Sequence, residues 1–296
     1  MTFDTTNLSR REALAAIGLL ALSCKTTFGA GPEPAGTAKT PKNIAIQLYT
    51  MRDPAKKDLA GTLKKIREMG WENVQWSGMP NLPAEKIREA LDTAGLKAIA
   101  AHVGVEAFEK NFDESVRFWK TVGVKDVAPG GMMNDCKKDL EGWLRGAKRL
   151  DALGAKLREA GMRLSYHNHS FEFEKFPGDP RCKIDILLEA TKPENLYSEL
   201  DTAWAFHAGY DPAAFLRKYK GRFKCIHAKD IAKADTKGKA KLMALGQGAE
   251  DWKDIFAAGR ETGVEWFIYE QDSGDGSPFD YARQSFEFMV KNLAAQ

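Results

Sequence analysis

From Asn43 onward, short apolar runs alternate with amphipathic ones to the end of the chain. "NIAIQLYT" precedes "LAGTLKKIREMG", whose apolar positions recur at helical spacing, and "NVQWS" precedes "PAEKIREALDTAG". "KAIAAHV", "VKDVAPGG" and "MRLSYHNH" lead into "FEKNFDESVRFWKTVG", "DLEGWLRGAKRLDALGAKLREAG" and "IDILLEAT". "LYSELDTAWAF", "RFKCIHAKD" and "WFIYEQD" lead into "DPAAFLRKYK", "DWKDIFAAGRETG" and "PFDYARQSFEFMVKNLAAQ". The short runs predict strands buried on both faces, and the periodic segments predict helices. Many of the helices stop at Gly with basic residues in their last turns, as helix termination requires.

Eight strand–helix units over residues 43–296 match one α/β domain, a single (β/α)8 TIM barrel. An open doubly wound sheet would carry a Gly-rich phosphate turn after its first strand, and "QLYTMRDPAKKD" has none.

Residues 1–30 break the pattern. Ser9-Arg10-Arg11 opens a segment that stays uncharged from Ala13 to Cys24, which reads as a signal peptide of the twin-arginine type. "ALSC" is a relaxed lipobox with Cys24 as the residue to be lipidated. The expected location is therefore outside the cytoplasm, in the periplasm or lipid-anchored at the cell envelope. Residues 31–42, rich in Gly and Pro, read as a flexible linker.

The composition adds exclusions. Lys and Arg total 44 against 41 Asp and Glu, a formal charge of +3, which offers no footprint for nucleic acid. Without Cys24, the cysteines are Cys136, Cys182 and Cys225, widely spaced and with no Cys-x-x-Cys, so neither a disulfide framework nor a thiolate zinc site is indicated.

The chemistry gathers at strand ends, where such barrels build their sites. All five histidines lie at or just past a predicted strand: His102, His167, His169, His207 and His227. Asp201 and Glu270 close the sixth and eighth strands. Side chains alternate along a strand, so Asp201 shares a face with Glu199, His227 with Cys225 and Lys229, and Glu270 with Ile268. If the terminal polar residues point inward, His167, Asp201, His227 and Glu270 converge from four consecutive strands. Two imidazoles and two carboxylates suit one divalent ion such as Mn2+, Zn2+ or Co2+. His169 is expected to orient a neighbour or contact substrate. Glu172, in the loop beyond, is placed to reach a substrate hydroxyl. His102, Lys229, Gln47 and Trp204 are expected to line the pocket. The basic run "KADTKGKAKLM" after the seventh strand reads as a solvated loop.

"YHNHSFEF", "ELDTAWAFHAG", "IHAKD", "GQGAEDW" and "YEQD", in this order, resemble the sugar phosphate isomerase/epimerase family of xylose-isomerase-like barrels. In its epimerases the resemblance implies one divalent ion held by Glu, Asp, His and Glu from strands five to eight. Asp201, His227 and Glu270 match the last three, and His167 stands where those epimerases have a glutamate. There the two glutamates pass a proton across opposite faces of the substrate. The resemblance implies a metal-dependent isomerase or epimerase of a sugar or keto-sugar, with Glu270 as base and with His167 and His169 beside it. His167 makes a lyase or hydratase acting on a 3-keto-glycoside or related oxidised sugar the alternative, and a non-catalytic sugar-binding barrel a further one. An apurinic-site nuclease shares the barrel but needs more metal ligands and a basic groove. The partner expected is a small carbohydrate.

Overall fold

The eight apolar runs become eight parallel strands that close on one another. In the computed structural model, which describes residues 40–233 and 240–293, they are β1 (Ile44–Gln47), β2 (Asn73–Trp76), β3 (Lys97–His102) and β4 (Asp126–Ala128). They continue with β5 (Arg163–His167), β6 (Tyr197–Asp201), β7 (Phe223–Ala228) and β8 (Trp266–Tyr269). Each pairs with the next, and β8 returns to β1 through Ile44↔Phe267, Ala45↔Ile268 and Ile46↔Tyr269. The predicted signal peptide and most of the linker lie outside the described residues. No helix among the described residues is long and apolar enough to cross a membrane.

Period-two alternation sorts the strand residues. Ile44, Ile46, Val74, Trp76, Leu164 and Phe267 face outward into the large apolar layer beneath the helices. Ala45, Cys225 and Ile268, with Ile99 and Trp266 beside them, fill the barrel interior as a separate small cluster. The three cysteines are free and buried. At the end where strands begin, Arg163 forks onto Asp126 with both contacts at 2.6 Å and reaches Glu265 at 2.9 Å. This clamp ties the starts of β4, β5 and β8 together at the face of the barrel that serves stability. Gly154 lets the long helix Leu140–Glu159 touch the turn before β6, because a Cβ there would lie 1.8 Å from the Asn195 carbonyl oxygen.

Two strands end earlier than the apolar runs suggest, and for the same reason. The Asp201 side chain accepts from Trp204 N at 3.1 Å and caps a short helix, Thr202–His207, so "TAWAF" is helix rather than strand. Gln47 caps the 3-10 turn Leu48–Met51 by accepting from Tyr49 N at 3.3 Å. Polar side chains that satisfy the first free N–H groups of a helix outcompete strand extension. Beyond β7, Asp230–Ile231 pairs antiparallel with Leu242–Met243. The buried Asp230 Oδ2 then accepts from Gly246 N at 2.8 Å, Gly248 N at 3.0 Å and Trp252 Nε1 at 2.9 Å. The last two residues of the basic run, Leu242 and Met243, thus form a short strand; residues 234–239 lie outside the described residues.

Candidate active site

At the ends of β5 to β8, His167, Asp201, His227 and Glu270 each place one donor atom within 4.8 Å of the others, and all four are buried. His227 Nδ1 is 2.7 Å from Glu270 Oε2, and His167 Nε2 is 4.0 Å from Asp201 Oδ2. Asn168 fixes the end of β6 by accepting from Asp201 N at 3.1 Å. Lys229 Nζ lies 2.8 Å from both Asp201 Oδ2 and Glu270 Oε2 and 2.9 Å from Asp272 Oδ2.

A second polar layer lies on the far side of the His227 ring. Glu199 Oε1 meets His102 Nε2 at 2.7 Å, His227 Nε2 at 2.9 Å and His167 Nδ1 at 3.5 Å. Its other oxygen accepts from Gln75 Nε2 at 2.7 Å. Gln75 Oε1 accepts from Gln47 Nε2 at 2.8 Å and lies 2.6 Å from His227 Nε2. Gln47, Gln75, Glu199 and His227 are all essentially without solvent contact.

The charges answer to this packing. Burial opposes ionisation of Glu270, but Lys229 and His227 outweigh it and hold the carboxyl well below the usual range. Glu199 behaves in the same way against burial, through His227 and His102. Burial would lower His227, yet Glu199 and Glu270 raise it to about 10. Burial lifts Asp201 to about 6, and burial with Glu270 beside it raises Asp272. Burial and the Lys229 charge take His169 down to about 4, so its imidazole is neutral at pH 7. Burial, with His227 nearby, takes His167 well below the ordinary value.

These residues fit a divalent cation. Three buried carboxylates (Glu199, Asp201, Glu270) face one ammonium and one imidazolium, which leaves an excess of one negative charge in a buried space, with the partly exposed Asp272 at its edge. His167 Nδ1 and Asp201 Oδ2 are also buried without a hydrogen bond, although Lys229 is close to the latter. The mixed imidazole and carboxylate donor set suits a borderline or hard ion rather than a soft one.

A cavity of about 350 Å³ opens above this group, lined by Tyr49, Ser77, His102, Gly130, His167, His169, Trp204, Lys229, Glu270 and Asp272. Two expected pocket residues lie elsewhere. Gln47 is buried below, where it hydrogen-bonds Gln75 instead of forming a wall. Glu172 is not in an open loop: it sits in the 3-10 turn Ser170–Phe173, fully buried, and accepts from Tyr166 OH and from His169 N, each at 2.8 Å. It positions His169 and does not face the cavity. Three site residues were not assigned from sequence. Asp272 and Glu199 share their strands' inward parity with Glu270 and Asp201, so the alternation held the signal. Gln75 carries none that separates it from other strand glutamines.

The chain belongs to the xylose isomerase-like TIM barrel family, whose model matches residues 63–292. Among curated relatives it is similar to the inosose dehydratase of Lacticaseibacillus casei, 32% identical over 163 residues, 50% of this chain and 53% of that one. A second inosose dehydratase, from Geobacillus thermodenitrificans, is 25% identical over 239 residues, 69% of this chain and 79% of that protein. The chain spans about half the length of the first of these. The fold is shared with a sugar phosphate isomerase/epimerase from Parabacteroides distasonis, at TM-score 0.72 and 19% identity over 88% of this chain and 100% of that one. It is also shared with an L-ribulose 3-epimerase (TM-score 0.65, 17% identity, 85% and 94% covered). A xylose isomerase-like barrel from Mycobacterium smegmatis, solved with magnesium, has TM-score 0.63 and 18% identity, with 86% of this chain and 97% of that one covered.

Proposed function

We propose that this protein is a divalent-metal-dependent lyase that eliminates water or an alcohol from a keto-sugar or a related cyclic polyol ketone. The observation that carries this reading is the placement of the acid/base groups. Both cavity carboxylates, Glu270 and Asp272, enter from the end of β8, joined through Lys229. The β3 and β5 side of the cavity offers imidazoles, from His102, His167 and His169. Epimerisation by two carboxylates needs them on opposite faces of the substrate. Elimination needs a base and an acid that can share one face. Similarity to inosose dehydratases supports the same choice over the isomerase or epimerase.

His167, Asp201, His227 and Glu270 would hold the ion, Mn2+ or Co2+ by donor type. When bound, it supplies Lewis-acid stabilisation of charge developing on the substrate's carbonyl oxygen. Glu270, held ionised, removes the proton from the carbon next to the carbonyl. The C–H electron pair forms the carbon–carbon double bond as the β carbon–oxygen bond breaks. Asp272, whose raised carboxyl retains a proton more readily, delivers it to the departing oxygen, which leaves as water or alcohol. Lys229 keeps the two carboxyls in register and donates a hydrogen bond towards the carbonyl side. Neutral His169 and the Trp204 face, with ring centroids 6.3 Å apart, contact the sugar ring and its hydroxyls.

The test is NMR of metal-loaded protein in deuterated water with a keto-cyclitol and with 3-keto-glucosides. A new alkene signal with loss of one oxygen substituent is expected. Deuterium entering one carbon of an otherwise intact skeleton would overturn the lyase reading in favour of an isomerase or epimerase.

A further inference from the structure

His167 and His227 each belong to two donor groups. One is His167, Asp201, His227 and Glu270; the other is His102, His167, Glu199 and His227, whose donor atoms also lie within 4.8 Å of one another. The two groups use opposite nitrogens of the shared rings. His227 turns Nδ1 to Glu270 at 2.7 Å and Nε2 to Glu199 at 2.9 Å. His167 turns Nε2 towards Asp201 at 4.0 Å and Nδ1 towards Glu199 at 3.5 Å.

We propose a second ion position, built from His102 Nε2, His167 Nδ1, Glu199 Oε1 and His227 Nε2, that is occupied in alternation with the first. A neutral imidazole has one lone pair, so each shared ring can serve one ion at a time. The acceptors for both tautomers are in place. With Nε2–H on Glu199 or Gln75, the latter 2.6 Å away, the His227 lone pair points to the Glu270 side. With Nδ1–H on Glu270, it points to the Glu199 side. An independent observation marks the second position: His167 Nδ1 is buried, has no hydrogen-bond partner and is aimed into it.

The donor sets differ in character. Relative to each other, the set of two carboxylates and two imidazoles leans towards manganese, and the set of three imidazoles and one carboxylate leans towards zinc. Zinc in the second position claims both shared histidines and takes two ligands from the first. On the lyase reading, zinc is therefore an inhibitor that acts by displacing the working ion. The binding claim itself does not depend on that reading.

The test measures binding, without substrate. Metal-free full-length protein is titrated with Mn2+ and Zn2+ by equilibrium dialysis, alone and in competition. The wild type should bind about one ion in total, with zinc expelling manganese. His102→Ala and Glu199→Gln should weaken zinc by more than the roughly 100-fold upper range for loss of an outer partner, and manganese by less than roughly tenfold. Asp201→Asn should show the reverse order. If all three variants weaken both ions in parallel, His102 and Glu199 only orient first-position ligands and the proposal fails. Simultaneous binding of zinc and manganese would overturn the alternation. Should a variant not fold, anomalous diffraction from zinc-grown wild-type crystals decides. A peak beside His102 and Glu199 supports the second position, and one between Asp201 and Glu270 overturns it. Failure of the lyase reading would appear only in the NMR assay and leave these results unchanged.

Discussion

Glu270 combines two tasks, metal ligand and base, and a single atom change separates them. Glu270→Gln keeps the shape and one coordinating oxygen but cannot accept a proton at neutral pH. Proton abstraction, read as the rate of alkene formation with excess metal, should fall by roughly 10²–10⁴-fold, while metal content recovers. Unchanged alkene formation at full metal occupancy would move the base role to another residue. Glu172 makes a different prediction. Burial pushes its carboxyl up to about 8, against an ordinary value of 4.5. The folded state then binds more protons than the unfolded one between those values, so this residue's contribution declines as pH rises from about 4.5 to 8 and levels off above. Glu172→Gln removes that titration. Urea unfolding at intervals across the window should show wild type losing stability relative to the variant as pH rises; a constant difference would contradict it.

At the scale of elements, the sequence was most legible where alternation and chain position act together. Parity placed His167, Asp201, His227 and Glu270 on one inward face, and the structure brings these four together. Parity does not report depth. Gln47 faces the same interior as Glu270 but lies a layer below, so it pairs with Gln75 and never reaches the cavity. Glu172 was illegible for another reason: "SFEF" looks like open loop, and only the reach back to His169 N makes it a buried turn. The loop after β7 rests on Asp230 in the same way, and Gly248 is where this can be tested. A Cβ at Gly248 would come 2.0 Å from Asp230 Oδ1 and 2.6 Å from the Ile231 carbonyl oxygen. Gly248→Ala should therefore cost about 1–3 kcal/mol, the usual penalty for overpacking, measured as a lowered urea midpoint. A midpoint equal to wild type would mean that the loop yields freely.

For the whole molecule, the proposed export signal sets a requirement that the barrel meets: its buried cysteines are free, so folding needs no oxidising compartment. Residues 1–42 fused to a reporter that folds in the cytoplasm should carry it across the membrane, and Arg10 and Arg11 changed together to lysine should abolish transport. Export by the double-lysine variant would remove the twin-arginine reading.

The seam between β1 and β8 has a consequence for synthesis. On a ribosome β1 emerges early and gains β2 at once, but its other edge waits for Trp266–Tyr269, near the end of the described chain. Until then the nascent sheet is an open ribbon with two unpaired edges, the arrangement that invites pairing with other chains. Closure therefore waits until Trp266–Tyr269 has left the ribosome. Chains stalled before Val264 should stay protease-sensitive however many of the first seven strands they contain, whereas chains released after Leu293 should become resistant in one step. Gradual gain of protection with each added strand–helix unit would show that the barrel assembles without waiting for its seam.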